Sequence, residues 1–240
     1  MFLIYPIAQV EKYRDEQLIL SKEGIYVING TSAIKNDKVY TYEDYLSMEE
    51  NIRCEIIDGV LYSMAAPSRL HQKLSKQLSF RIDTFLQGKK CELYYAPSSV
   101  VLLKSVDWKK LWEEFDSDAE FIDEVTDPLK SKQVVEPDIF VVCDKNKLTK
   151  NGCVGAPDFI IEILSPSERK KDLKTKRDLY ELNGVREYWT VDIDKRRIIQ
   201  YVLAEDDMLY HYVKIFEFND RVPCVVLEGC AIDFSTVDLS

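Results

Sequence analysis

The chain has 240 residues, of which 46% are hydrophobic and 31% charged, and its formal net charge is -10. Those proportions suit a packed globular protein and exclude general disorder. The negative balance excludes a protein that coats nucleic acid electrostatically, while leaving room for a local basic groove. Nothing resembles a linker between two cores, so residues 1–240 read as one domain.

The run Met1 to Ile7 is apolar but has no basic leader, and Gln9, Glu11 and Lys12 cut it short of a signal or membrane segment. A cytoplasmic protein without a membrane partner is expected. Residues 1–38 carry no chemistry that can be named and are taken as an N-terminal extension packed on the core. Thr41-Tyr-Glu-Asp44 opens a short helix in the manner of a capping box. Asp58-Gly59 between two apolar runs, Cys54 to Tyr62, is a hairpin signal. From Ser68 to Gln87 the residues Leu70, Leu74, Leu78, Ile82, Phe85 and Leu86 recur at helical spacing, and Gly88 supplies a C-cap.

Strands follow at Cys91 to Tyr95 and Ser99 to Lys104. The pattern then fails between Asp107 and Asp127, which hold nine acidic and two basic residues. Residues 105–132 are therefore read as an acidic insertion outside the core. Val134 to Cys143 reads as one strand, and Asp158 to Leu164 as a strand buried on both faces. Ser165-Pro166-Ser167-Glu168 caps a helix that ends at Asn183-Gly184. Further strands are expected at Glu187 to Val191, Arg197 to Leu203 and Leu209 to Phe218, with a tail to residue 240. Alternating helices and strands of this kind favour an α/β sheet with helices on its faces.

Two residues stand out chemically. Glu162 lies inside the apolar strand Phe159-Ile-Ile-Glu-Ile-Leu164, and Asp138 follows Pro137 at the head of another. A carboxylate in a buried strand needs a cation, a partner or a proton, and two on neighbouring strands suit a hard cation such as magnesium. A salt bridge to a helix residue explains Glu162 equally well, and Asp138 alone marks no more than a strand entry. Asp172, Lys176 and Tyr180 stand four residues apart and share one helix face. The same helix carries Arg169, Lys170, Lys171, Lys174, Lys176 and Arg177, six basic residues in nine positions. That density suits either a phosphate backbone or a solvated face. His71 reads as an ordinary helix residue that could border the site, and Tyr188 and Trp189 read as core packing. The six cysteines, Cys54, Cys91, Cys143, Cys153, Cys224 and Cys230, are scattered singly beside only two histidines, which argues against a zinc site. Most are expected to be small reduced core residues.

Taken in order, Glu55-Ile-Ile-Asp-Gly59, Ala65-Ala-Pro-Ser68 with His71, Pro137-Asp138, Glu162-Ile-Leu-Ser-Pro-Ser167, Asp172 with Lys176 and Tyr180, and Gly184-Val-Arg-Glu-Tyr-Trp189 resemble the Uma-two family of endonuclease-like proteins over residues 40–201. That family in turn resembles the PD-(D/E)XK nuclease superfamily. The resemblance implies a restriction-endonuclease-like α/β fold, a mixed central sheet flanked by helices, here with extra C-terminal strands over residues 202–240. It also implies that Asp138, Glu162 and the main-chain carbonyl of Ile163 hold Mg2+ or Mn2+, with Lys176 and Glu55 completing the catalytic set. The superfamily places its lysine two residues after the second acid, where this chain has Leu164, and Lys176 is the natural substitute.

The function that follows is metal-assisted hydrolysis of phosphodiester bonds, in DNA, with Arg169, Lys170, Lys171, Lys174 and Arg177 holding the backbone. A homo-oligomer, expected as a dimer, is the assembly. Two alternatives from other classes are a nuclease-fold scaffold that binds nucleic acid or a partner without cutting, and an oligomerising structural protein. On the nuclease reading Lys176→Ala removes cleavage and spares the fold.

Overall fold

The structure, a computed structural model, describes residues 17–21, 24–28, 38–49, 52–103, 127–164, 171–204, 206 and 208–239. Strands β1 (Gln17–Ser21) and β2 (Gly24–Ile28) form an antiparallel ribbon. Helix α1 (Tyr42–Leu46) carries the expected capping box, with the Thr41 side chain accepting from Asp44 N and the Asp44 side chain accepting from Thr41 N. In the hairpin β3 (Cys54–Ile57) to β4 (Val60–Ser63), Asp58 and Gly59 have φ of 51° and 74°. Two successive positive φ values make the turn whose twist matches its strands.

Helix α2 (Arg69–Leu86) is capped by the Ser68 side chain and buries Leu74, Leu78, Ile82 and Leu86. After it come β5 (Glu92–Tyr95), β6 (Ser99–Val101), β7 (Val134–Val135), β8 (Ile139–Val142), β9 (Leu148–Thr149), β10 (Gly152–Val154) and β11 (Phe159–Leu164). Helix α3 (Lys171–Leu182), β12 (Glu187–Asp192), β13 (Arg197–Val202), β14 (Tyr212–Glu217), β15 (Arg221–Pro223) and β16 (Ala231–Asp233) complete the order. The cap expected at Ser165 to Glu168 lies outside the described residues.

The strands build two six-stranded mixed sheets. One has the order β4-β3-β7-β6-β10-β9, and the other β14-β13-β12-β11-β8-β5. Strand β11 runs parallel to β12 and antiparallel to β8. Alternation along the strands divides the interior. Ile139, Val141, Phe159, Ile161 and Trp189 pack with α2 and with Phe234 beyond β16. Their neighbours Phe140, Val142, Ile160 and Tyr188 face the other way, toward Ile57, Val100 and Val135 of the first sheet and Leu179 and Tyr180 of α3. A third cluster, with Tyr42, Ile56 and Val134, covers the outer face of the first sheet.

The fold class is thus α/β with mixed sheets, as expected, but Val134 to Cys143 is not one strand. Strand β7 pairs with β3 and β6 in the first sheet, whereas β8 pairs with β5 and β11 in the second. The chain crosses between sheets at Glu136-Pro137-Asp138, where proline has no N–H to give a ladder.

Most of the acidic stretch, residues 104–126, lies outside the described residues, as do residues 1–16 and 29–37 of the N-terminal extension. The two stems of the acidic stretch meet. Strands β6 and β7 are antiparallel neighbours, Leu102 N donates to Gln133 O, and Ser131 Oγ donates to Leu102 O.

Cys54, Cys153, Cys224 and Cys230 are free and buried, whereas Cys91 and Cys143 form a disulfide across the β5–β8 edge. Among the described residues no helix is long and apolar enough to cross a membrane.

Candidate active site

Glu162 lies in the C-terminal half of β11, and alternation puts it on the face of Ile160, toward the first sheet and α3. The β8–β11 ladder ends at the pair Ile161↔Ile139. One step further along both strands stand Glu162 and Asp138, so the two carboxylates share that face at neighbouring positions. The same alternation turns Glu55 of β3 inward, on the side of Ile57 and opposite Cys54 and Ile56. Three acids thereby converge from two sheets on one cavity of about 820 Å³, with His71, Ile163, Leu164 and Lys176 in its wall.

Lys176 on α3 ties the acids together. Its Nζ donates to Glu55 Oε1 at 2.9 Å and to Glu162 Oε1 at 3.0 Å. One turn on, Tyr180 OH donates to Glu162 Oε1 at 2.6 Å. The four-residue spacing read from the sequence is what lets both side chains reach one carboxylate. Glu55 Oε1 also accepts from Glu136 N at 3.0 Å. Asp138 Oδ2 accepts from Ile163 N at 2.7 Å and lies 3.0 Å from His71 Nε2.

Burial pushes the Glu162 carboxyl up to about 7, with the Lys176 ammonium opposing and the Asp138 and Glu55 charges adding to the rise. Burial would depress the Lys176 ammonium, but Glu162 and Glu55 hold it well above its ordinary value. The Tyr180 hydroxyl is driven well up by burial and then by Glu162 and Glu55, so it serves as a donor. The expectation that Lys176→Ala spares the fold meets a buried ion pair. The Lys176 side chain is 12% exposed and stands between two carboxylates that would otherwise be buried unpaired.

The remaining predicted residues are placed unevenly. Arg169 and Lys170 lie outside the described residues, and Lys171 and Asp172 have described backbone only. Lys174 is exposed, and Arg177 pairs with the adjacent Asp178. Neither borders the cavity. Tyr188 is buried in the core, as read, edge-on to Tyr180, and it also touches the cavity.

Glu136 was missed. It is buried, accepting from Tyr45 OH at 2.9 Å and from Arg53 Nη2 at 3.0 Å, and its N–H holds Glu55. The signal was available, since Glu136 directly follows the apolar pair Val134-Val135 at a buried strand end.

The donor set fits a hard divalent cation. Asp138 and Glu162 each have one oxygen engaged by protein donors, while Asp138 Oδ1 and Glu162 Oε2 accept no hydrogen bond from the described residues. Burial raises Glu162 and the Asp138 and Glu55 charges add to it, and a bound cation would offset both. Among the described residues no three His, Cys, Asp or Glu side chains form a ready-made cage. Two carboxylates with retained waters is the usual provision for magnesium.

Comparison with known proteins gives a family and a shared fold. The profile of the Uma2 family, described as "Putative restriction endonuclease", matches residues 42–235, extending through the C-terminal strands. A curated relative, "Uncharacterized protein slr1290" of Synechocystis sp. (strain ATCC 27184 / PCC 6803 / Kazusa), is 25% identical over 143 residues. That match spans 59% of this chain and 62% of the relative's length. A crystal structure described as "a putative nuclease belonging to DUF820 from Anabaena variabilis ATCC 29413" superposes with a TM-score of 0.60 at 16% identity. The superposition covers 82% of this chain and 97% of that one, and shows the shared fold.

Proposed function

Since the chain belongs to the Uma2 family, we propose that it is a divalent-metal-dependent nuclease hydrolysing phosphodiester bonds in DNA, at the cavity between its two sheets. The observation that carries this reading is the buried Glu162 set beside Asp138 with Lys176 bridging it to Glu55. Asp138 Oδ1, Glu162 Oε2 and the carbonyl of Ile163 would hold Mg2+ or Mn2+. When bound, the ion supplies Lewis-acid polarisation of the phosphoryl group and lowers the pKa of a water.

The protein's own groups do the rest. Asp138 is pinned by Ile163 N and by His71, so its second oxygen is aimed without reorganisation when the ion arrives. Lys176 opposes the rise that burial imposes on Glu162 and offers its remaining N–H to a phosphate oxygen, stabilising charge as it builds on the phosphorane. Glu55 fixes the Lys176 ammonium and can take the proton of the attacking water from the outer side. Leu164, in the position where the superfamily lysine stands, adds an apolar wall.

Nicking of a supercoiled plasmid with Mg2+ or Mn2+, with EDTA as control, tests the proposal. Wild type should nick, and Asp138→Asn and Glu162→Gln should not. A second reading, a scaffold that binds nucleic acid without cutting, is favoured by the engagement of Lys176 by two carboxylates. Metal-independent binding by a wild type that cleaves no DNA or RNA would select it.

A further inference from the structure

The cavity reaches well beyond the acids. Its wall along α2 runs from Ser68 to Asp83, about 22 Å at ~1.5 Å per residue, on the side away from the buried seam Leu74, Leu78 and Ile82. On this wall Phe80 is 71% exposed, and Tyr95, at the end of β5, is 61% exposed. Among the described residues neither ring joins a core cluster. Two exposed aromatic rings on one cavity wall form a surface that a flat ligand can cover.

One further feature says what covers them. Lys76, one helical turn before Phe80, is exposed on the same wall and makes no ion pair among the described residues. Flat aromatic faces and a point cation are the complement of base and phosphate.

From this geometry we infer that the α2 wall is a track for an unpaired nucleic-acid strand. Bases stack on Phe80 and Tyr95, and a phosphate meets Lys76. In an intact duplex the base faces are covered by their neighbours and cannot stack on a side chain, so the track selects single-stranded or locally melted substrate. At ~3.4 Å per stacked nucleotide the wall accommodates about six. This deepens the nuclease reading by naming the form of substrate led to the acid cluster.

The test measures binding apart from cleavage. Fluorescence anisotropy in EDTA compares a labelled single strand of about twelve nucleotides with its duplex, on the full chain. The single strand should bind about tenfold more tightly or better. Phe80→Ala and Tyr95→Ala should each weaken it by about tenfold, the loss of one base stack, without changing duplex affinity. Lys76→Ala should lower the slope of log affinity against log salt by about 0.7. Plasmid nicking by the same variants and by Asp138→Asn separates the two ideas. If Phe80→Ala and Tyr95→Ala bind the single strand like wild type while Asp138→Asn alone abolishes cleavage, the track is wrong and the nuclease reading stands. Loss of strand binding beside a wild type that never cleaves leaves the track standing and removes the nuclease. Should Phe80→Ala instead split a dimer in sedimentation with strand affinity unchanged, the wall is a contact between copies and the inference falls.

Discussion

Replacing Lys176 by methionine keeps the length of the side chain and removes only the ammonium, so it isolates what that charge does between Glu55 and Glu162. The two contacts are 2.9 and 3.0 Å, and the three side chains are 12%, 8% and 9% exposed. Removing one partner from a buried pair of this quality costs about 3–5 kcal/mol when the survivor must stay charged. Glu162 need not stay charged. In the wild type its carboxyl titrates near 7, above its ordinary 4.5, so between those values the folded state binds more protons than the unfolded one. Wild-type stability therefore falls as pH rises toward 7 and levels off above it.

Without Lys176 the folded value moves higher still, because burial and the Asp138 and Glu55 charges remain unopposed. The fall then continues above pH 7 in the variant, at up to about 1.4 kcal/mol per pH unit. The expected penalty is about 2 kcal/mol near pH 6, where Glu162 is protonated in both proteins, rising to about 4 kcal/mol near pH 9. Urea unfolding followed by the fluorescence of buried Trp189 measures it. A penalty constant over that range, or one that shrinks as pH rises, would refute the coupling of Lys176 to an ionisable Glu162.

Four further outcomes follow from named contacts. Asp138→Asn should lower Mg2+ or Mn2+ affinity at least about tenfold in calorimetry, with Tm within a few degrees of wild type because Ile163 N keeps an acceptor; unchanged affinity would remove Asp138 from the site. Metal binding to wild type should strengthen as pH rises through about 7, as Glu162 loses its proton, and a pH-independent affinity would exclude Glu162 as a ligand. Glu187 is fully buried and accepts from Trp189 Nε1, Gln200 Nε2, Val225 N and Val226 N at 2.7–2.8 Å, so Glu187→Ala should cost about 4 kcal/mol or more by orphaning those donors. A variant within about 1 kcal/mol of wild type would contradict that network. Replacing residues 104–126 by a short Gly-Ser turn should preserve the Tm, since the stems are already joined by Leu102 N to Gln133 O and Ser131 Oγ to Leu102 O; an insoluble product would make the stretch integral to the fold.

Features set by neighbours in the chain were legible in the sequence. The capping box at Thr41, the Asp58-Gly59 turn, the apolar seam of α2 and the spacing of Lys176 and Tyr180 all depend on residues within about two helical turns of each other, where backbone geometry alone dictates who meets whom. The acids at 138 and 162 were legible as well, because a carboxylate in an apolar strand is conspicuous wherever that strand goes.

What the sequence left open are contacts between distant residues. Whether Lys176 stands in water or between two acids depends on a partner 121 positions away, Glu55, on a different sheet. Val134 to Cys143 has the pattern of one strand, and only the choice of β3 and β6 as partners for one half and β5 and β11 for the other splits it between sheets. Cys91 and Cys143 are 52 positions apart and meet because β5 and β8 do. Periodicity specifies which face of an element is apolar. Tertiary packing alone specifies which other face it meets, and with it which buried charges are paired.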